Sequence, residues 1–569
     1  MKKSFLMMLA ALLLASCGDG RPFVDLFPER DGCISYVCDA PFEGDTVWLH
    51  YHVPAEGDIA SLPVQIVIPG MLRDGERYRN DWIAKADEYG FVVLVPQMED
   101  RFFPERIYQQ GGIVREDGSF SDPEERVYPL IDQLFCFFKE HSGSRAKGYN
   151  LYGHSAGGQF VHRFALFHDS PYVQRMVAAN PGWYTFPDET VDFPYGIAEI
   201  GARDGIDPAR FYGKELTVLL GEADTLRSSS LRKTPEADAQ GLNRLERGRN
   251  FYAWCREDAL RRGAEFRHQL RLVGGSGHSD ALMAPKAADI LYGETAAPDF
   301  RKTGLHSTFF RPTNRFSTLP VRVCYYLPEQ YDARSLRPLM ILHGGHRLAE
   351  TAIDSWKEVA DRENLLLLGP DFDAADYPNR VFLTGGMQDG GAFVPVEESL
   401  YPVYDAIFFE ARRQLGFKAK KYDVFGHSAG GQTAHRLRLF DRSPAVSRIV
   451  AANSGWYTFP DAGTVFPYGT AGYEAPLDLA GYLADPMTVM VGDADTVVNF
   501  GLRMNAYTLR QGANRYERGQ SFFQYAKHLA DSLQVPFGWQ LQVVEHAGHD
   551  EDACSKAAAR LLYGVEISD

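Results

Sequence analysis

Short apolar runs separated by longer stretches of mixed apolar and polar residues fill most of the chain, and the pattern occurs twice. In the first half the runs fall at 47–53, 64–68, 91–95, 149–152, 176–179, 216–220 and 270–273. In the second they fall at 321–327, 339–342, 365–368, 422–425, 449–452, 488–491 and 541–544. Continuous runs this short suit strands covered on both faces. The segments between them, such as 82–89, 160–167, 356–363 and 433–440, read as helices. Strands alternating with helices predict an α/β fold in two tandem copies, each a mainly parallel sheet flanked by helices. The order of strands within a sheet does not follow from the pattern.

The two halves align at an offset of about 273 residues. Gly-His-Ser-Ala-Gly-Gly-Gln occurs at 153–159 and again at 426–432, each time between an apolar run and a helical stretch. Asn180-Pro181-Gly182-Trp183-Tyr184-Thr185-Phe186-Pro187-Asp188 matches Asn453-Ser454-Gly455-Trp456-Tyr457-Thr458-Phe459-Pro460-Asp461. Gln240-Gly241-Leu242-Asn243-Arg244 matches Gln511-Gly512-Ala513-Asn514-Arg515. So long a period with so few insertions is duplication of a whole domain rather than a solenoid. The expected division is a leader at 1–17, a first domain at 18–297, a linker at 298–315 and a second domain at 316–569.

A length of 569 residues also calls for more than one core. Hydrophobic content of 45% and charged content of 24% are those of ordinary globular protein. A net charge of −16 without any Lys/Arg-rich stripe argues against nucleic acid as a partner. The N-terminus changes the picture more. Lys2-Lys3 precedes an apolar run, residues 5–15, too short to span a bilayer. It ends in Leu14-Ala15-Ser16-Cys17, which resembles the lipobox of bacterial lipoproteins. That resemblance implies lipidation of Cys17 and an envelope lipoprotein, in the outer membrane and facing the periplasm or the exterior, held to the membrane by its lipid. Of the other six cysteines, only Cys33 and Cys38 are close enough in sequence to suggest a staple. No Cys/His cluster suggests zinc, and neither a metal nor a cofactor is expected.

Strand, Gly-x-Ser-x-Gly, helix is the nucleophile elbow, a turn so tight that its flanking positions must be glycine. Serine is a weak nucleophile until a base takes its proton and a carboxylate orients that base. In elbow proteins the order along the chain is serine, acid, histidine. The first half supplies Ser155, Asp224 and His278; the second supplies Ser428, Asp495 and His549. The Asp-to-His spacing is 54 in both halves. Glu222 and Asp493, two residues earlier, compete as the acid, and His546 competes with His549. One oxyanion donor is the backbone N–H after the serine, on Ala156 or Ala429. The other comes from a loop after an early strand, at Met71 in Pro69-Gly70-Met71 and at Gly345 in His343-Gly344-Gly345.

These residues carry a resemblance to serine hydrolases of the α/β-hydrolase superfamily over nearly the whole mature chain. The group around polyhydroxybutyrate depolymerases and feruloyl or acetyl-xylan esterases is similar, on the stretch from Arg322 to Pro328 leading into residues 338–345. The resemblance implies ester hydrolysis through an acyl-enzyme on a small or polymer-linked ester. Trp183, Tyr184, Trp456 and Tyr457 would be an aromatic wall of the substrate pocket, or alternatively core aromatics. Two other classes share the triad or the scaffold: a peptidase of the prolyl oligopeptidase type, and a binding lipoprotein with one degenerate domain.

Overall fold

A computed structural model describes residues 25–374, 376–498 and 501–565. The leader and Cys17 lie outside the described residues. The first half contains β1 (Asp31–Val37), β2 (Thr46–His52), β3 (Val64–Ile68), β4 (Val92–Met98), β5 (Tyr149–His154), β6 (Val173–Ala179), β7 (Leu216–Gly221) and β8 (Gln269–Val273). They form one eight-stranded sheet in the order β1-β2-β4-β3-β5-β6-β7-β8. β2 runs antiparallel to β1 and β4, while β3 pairs parallel with β4 and β5, as do β5 with β6 and β7 with β8.

The second half repeats this order strand for strand. Its strands are β9 (Gly304–Phe310), β10 (Val321–Leu327), β11 (Arg337–Leu342), β12 (Leu365–Asp371), β15 (Tyr422–His427), β16 (Val446–Ala452), β17 (Met487–Gly492) and β18 (Trp539–Val544). Their order is β9-β10-β12-β11-β15-β16-β17-β18. A small ribbon, β13 (Gln388–Asp389) with β14 (Ala392–Phe393), stands apart. Side chains alternate between two buried clusters, one on each face of the sheet: Leu366 and Leu368 join one, Leu365 and Leu367 the other. Burial on both faces is why the central strands read as unbroken apolar runs.

Each half has one strand more than the apolar runs suggest, and both extra strands are at the sheet edge. β9 lies inside 298–315, the expected linker, and pairs along its whole length with β10, from Gly304 opposite Leu327 to Phe310 opposite Val321. That segment therefore belongs to the second sheet. The cysteines also depart from expectation. Cys33 and Cys38 are both free, as are the other four described cysteines. They are five positions apart along extended chain, an odd offset, which points their side chains to opposite faces.

Contact density divides the chain into two compact units. The first runs to Leu216 and includes Arg232–Gly241 and Asn250–His268; the second holds Thr217–Leu231, Leu242–Arg249 and everything from Gln269 on. Ser155 thus belongs to the first unit, and Asp224 with His278 to the second. Ser428, Asp495 and His549 all lie in one unit.

Candidate active site

Each serine sits between the end of a strand and the start of a helix, Ala156–Phe167 or Ala429–Phe440. Its backbone is strained: φ 57° and ψ −110° at Ser155, φ 56° and ψ −113° at Ser428. A non-glycine residue held there costs on the order of 1–3 kcal/mol, which the surrounding packing must offset. The motif glycines show how tight that packing is. A Cβ on Gly430 would fall 1.8 Å from the Leu342 carbonyl oxygen, on Gly431 2.6 Å from that of Ala452, and on Gly426 2.3 Å from that of Gly430. The first half is equally closed, with 2.0 Å from Gly157 to the Ile68 oxygen and 2.2 Å from Gly153 to that of Gly157.

The acid and histidine loops are fastened to one another. Ala494 N–H donates to the Ala547 carbonyl at 3.0 Å, and Ala223 N–H to that of Ser276 at 2.8 Å. The last residue of the acid strand must be glycine, since a Cβ on Gly492 or Gly221 would lie 2.3 or 2.4 Å from the opposing carbonyl oxygen. This approach puts His549 Nδ1 2.8 Å from Asp495 Oδ2, and His278 Nδ1 2.8 Å from Asp224 Oδ2. Both aspartates are 2% exposed. The competing Glu222 is exposed and His546 is exposed, and neither takes part. A carboxylate only accepts, so Nδ1 carries the proton and Nε2 of His549 faces Ser428 Oγ, 3.0 Å away, as a base. Hydroxyl, imidazole and carboxylate form one hydrogen-bonded row in the second half.

Two arginines that sequence reasoning gave no role complete the acid's surroundings. Arg515 Nη1 lies 3.4 Å from Asp495 Oδ1, and Arg244 Nη1 3.6 Å from Asp224 Oδ1. The carboxylate thus gives one oxygen to histidine and the other to a buried guanidinium. The repeated Gln-Gly-x-Asn-Arg segments were the available signal.

The histidine before each serine is buried. His154 Nδ1 pairs with the Tyr78 hydroxyl at 3.0 Å, whereas the His427 ring packs 4.7 Å from that of His549. Burial, then the neighbouring His549, pushes His427 down to about 3, so it is neutral in use. Ala156 and Ala429 are the first residues of their helices, where N–H groups have no intrahelical acceptor. The loops holding Met71 and Gly345 reach the serines through the preceding glycines. A Cβ on Gly70 or Gly344 would lie 3.7 Å from the serine Cβ.

The aromatic wall is corrected. Tyr184 and Tyr457 are wholly buried and stack on Phe251 and Phe522 at 4.4 Å. Trp183 and Trp456 are 2% exposed, and each ring has two arginine guanidinium groups against it. All four are core residues here, because the segment after β6 or β16 turns inward to be tied to the elbow helix. His162 and His435 make that tie, each accepting a backbone N–H from Thr185 or Thr458 at 3.0 Å. An open cleft of about 170 Å³ in the second half is lined instead by Phe459, Asp461, Tyr468, Tyr507, Arg510 and Tyr525.

A strained serine on an elbow, beside a histidine paired to a buried aspartate, defines a serine hydrolase of the elbow type. No protein-family model matches the chain, and no curated protein matches it. Among solved structures, poly(aspartic acid) hydrolase-1 from Sphingomonas sp. KT-1 is 36% identical, over 46% of this chain and 98% of that one, with a TM-score of 0.43. LpqC, a poly(3-hydroxybutyrate) depolymerase from Bordetella parapertussis, is 31% identical over 47% of this chain and 93% of that one, TM-score 0.45. An S-formylglutathione hydrolase from Agrobacterium tumefaciens is 17% identical over 46% and 92%, TM-score 0.32. The chain belongs to the α/β-hydrolase superfamily, among its serine esterases and hydrolases.

Proposed function

We propose that the protein is a lipid-anchored, extracytoplasmic esterase that cleaves carboxylic esters through an acyl-enzyme, with one Ser–Asp–His triad in each half. The observation that carries the reading is the row Ser428–His549–Asp495 on an elbow with positive φ. Ser428 Oγ attacks the ester carbonyl while its proton passes to His549 Nε2. The oxyanion accepts hydrogen bonds from the N–H groups of Ala429 and Gly345, each worth about 2.7–4 kcal/mol in comparable sites. His549 returns the proton to the departing alcohol, and a water repeats the sequence to release the acid. Ser155, His278, Asp224, Ala156 and Met71 take these roles in the first half.

The anchor at Cys17 and an outer-membrane location rest on residues 1–17 alone. Among the described residues no helix is long and apolar enough to cross a membrane. A polymer-linked ester is the favoured substrate class, since two similar proteins are named for hydrolysis of polymers. Peptide mapping after treatment with a fluorophosphonate tests the reading. Adducts are expected on Ser155 and Ser428, each lost in its own Ser→Ala variant; no adduct on either serine in the folded protein overturns it.

A further inference from the structure

The surroundings of the two tryptophans differ in one charge. In the first half Arg163 and Arg232 both lie over Trp183, 4.0 and 4.4 Å from its ring centroid. Arg232 also forms an ion pair with Glu105 at 3.0 Å. In the second half Arg436 and Arg503 lie 4.6 and 5.2 Å from the Trp456 ring. The residue aligned with Glu105, in Tyr377-Pro378-Asn379-Arg380 against Phe103-Pro104-Glu105-Arg106, is Asn379. Its carboxamide oxygen accepts from Arg347 at 2.9 Å. Among the described residues no carboxylate stands within ion-pair reach of Arg436 or Arg503. Arg436 donates to the Thr458 hydroxyl and the Leu383 carbonyl, and Arg503 to the Tyr468 hydroxyl.

A wholly buried guanidinium without a counter-charge is costly, and a chain of net charge −16 has acid to spare. The pair is also continuous with the candidate active site. Arg518, one turn beyond the Arg515 that meets Asp495, donates to the Gly455 carbonyl beside Trp456 at 2.6 Å. We propose that the second half binds a substrate carboxylate on the exposed face of Arg503, backed by Trp456 and Arg436, at the place the first half fills with its own Glu105. The first half supplies the template, because its own occupant is a carboxylate. Charge-assisted pairing would select acidic esters in the second half, and Glu105 would repel them in the first. This inference rests on the esterase reading for its kinetics, but not for its binding.

The full-length protein tests it in two ways. In Ser155→Ala and Ser428→Ala variants, kcat/KM is compared for the para-nitrophenyl monoester of glutaric acid and for para-nitrophenyl butyrate. The acidic-to-neutral ratio is expected to be at least about tenfold higher for the second half, and to fall about tenfold on adding Arg503→Gln or Asn379→Glu. Separately, glutarate is titrated into the Ser428→Ala protein and tryptophan fluorescence followed. A saturable change absent from the Ser428→Ala/Arg503→Gln protein is expected. Hydrolysis of both esters with equal ratios, and no glutarate-dependent change, overturns the carboxylate site and leaves the esterase standing. A glutarate response without hydrolysis of either ester upholds the carboxylate site and removes the esterase.

Discussion

The two halves share a strand order, an elbow and an acid–histidine pair, yet they differ at four positions in the loops and helices around it. Tyr78 holds His154 in the first half, where the aligned residue of the second is Ala352. Pro69-Gly70-Met71 stands where the second half has His343-Gly344-Gly345, and Glu105 stands for Asn379. Backbone closeness explains what is shared at the elbow and at the end of the acid strand: Gly153, Gly157 and Gly221, and their counterparts Gly426, Gly430 and Gly492, each leave no room for a Cβ beside a carbonyl oxygen. The differences fall where side chains face open space or each other, so duplication preserved the turn and left its lining free to diverge.

The sharpest way to break the comparison is at the row itself. With Ser155→Ala as background, His549→Ala is expected to lower ester kcat by roughly 10⁴–10⁶-fold and Asp495→Asn by about 10⁴-fold. Steady-state assays of the purified variants check both. Next is the turn. Gly430→Ala forces a methyl into the Leu342 carbonyl and is expected to cost about 3–5 kcal/mol or abolish folding, whereas Gly345→Ala, with nothing within 4 Å of its Cβ, changes stability by less than about 1 kcal/mol. Denaturant titration of both variants tests the contrast.

Smaller effects separate the halves. Burial pushes His343 down to about 4, and the first half has a proline there. Above the ordinary value near 6.5 the ring is neutral in folded and unfolded chains alike. Below it only the unfolded chain takes up the proton, so stability is lost as pH falls from about 6.5 to about 4, by about 1.4 kcal/mol per pH unit. Relative to the parent, His343→Gln is expected to remove that slope, measured by denaturation at several pH values. Tyr78→Phe deprives buried His154 of a partner and is expected to cost about 1–2 kcal/mol, with no equivalent loss available at Ala352.

What could be read from the chain was whatever a short contiguous stretch encodes. The elbow glycines and the serines are local, the acid and the histidine each stand in a short stretch that recurs at the same spacing in both halves, and the buried central strands announce themselves by unbroken apolar runs. The edge strands β1 and β9 do not, because pairing on one side only leaves them partly exposed and mixed in composition. Repetition of Trp183 and Trp456 gave the same signal for a core as for a wall. Only the tie between His162 or His435 and the following threonine shows the segment turning inward. Arg244 and Arg515 lie twenty residues from the aspartates they meet, and the repetition of their segments marks them without showing which residue they face.

The central claim is that ester hydrolysis passes through these two serines. Hydrolysis of para-nitrophenyl butyrate by the Ser155→Ala/Ser428→Ala double variant measures it most directly, with folding checked by circular dichroism. For a protein that is still folded, a rate lower than the parent's by at least about 10³-fold is expected, leaving no more than the residual of roughly 10³–10⁴-fold over buffer that oxyanion donors and binding alone supply. A double variant that hydrolyses the ester as fast as the parent contradicts the account.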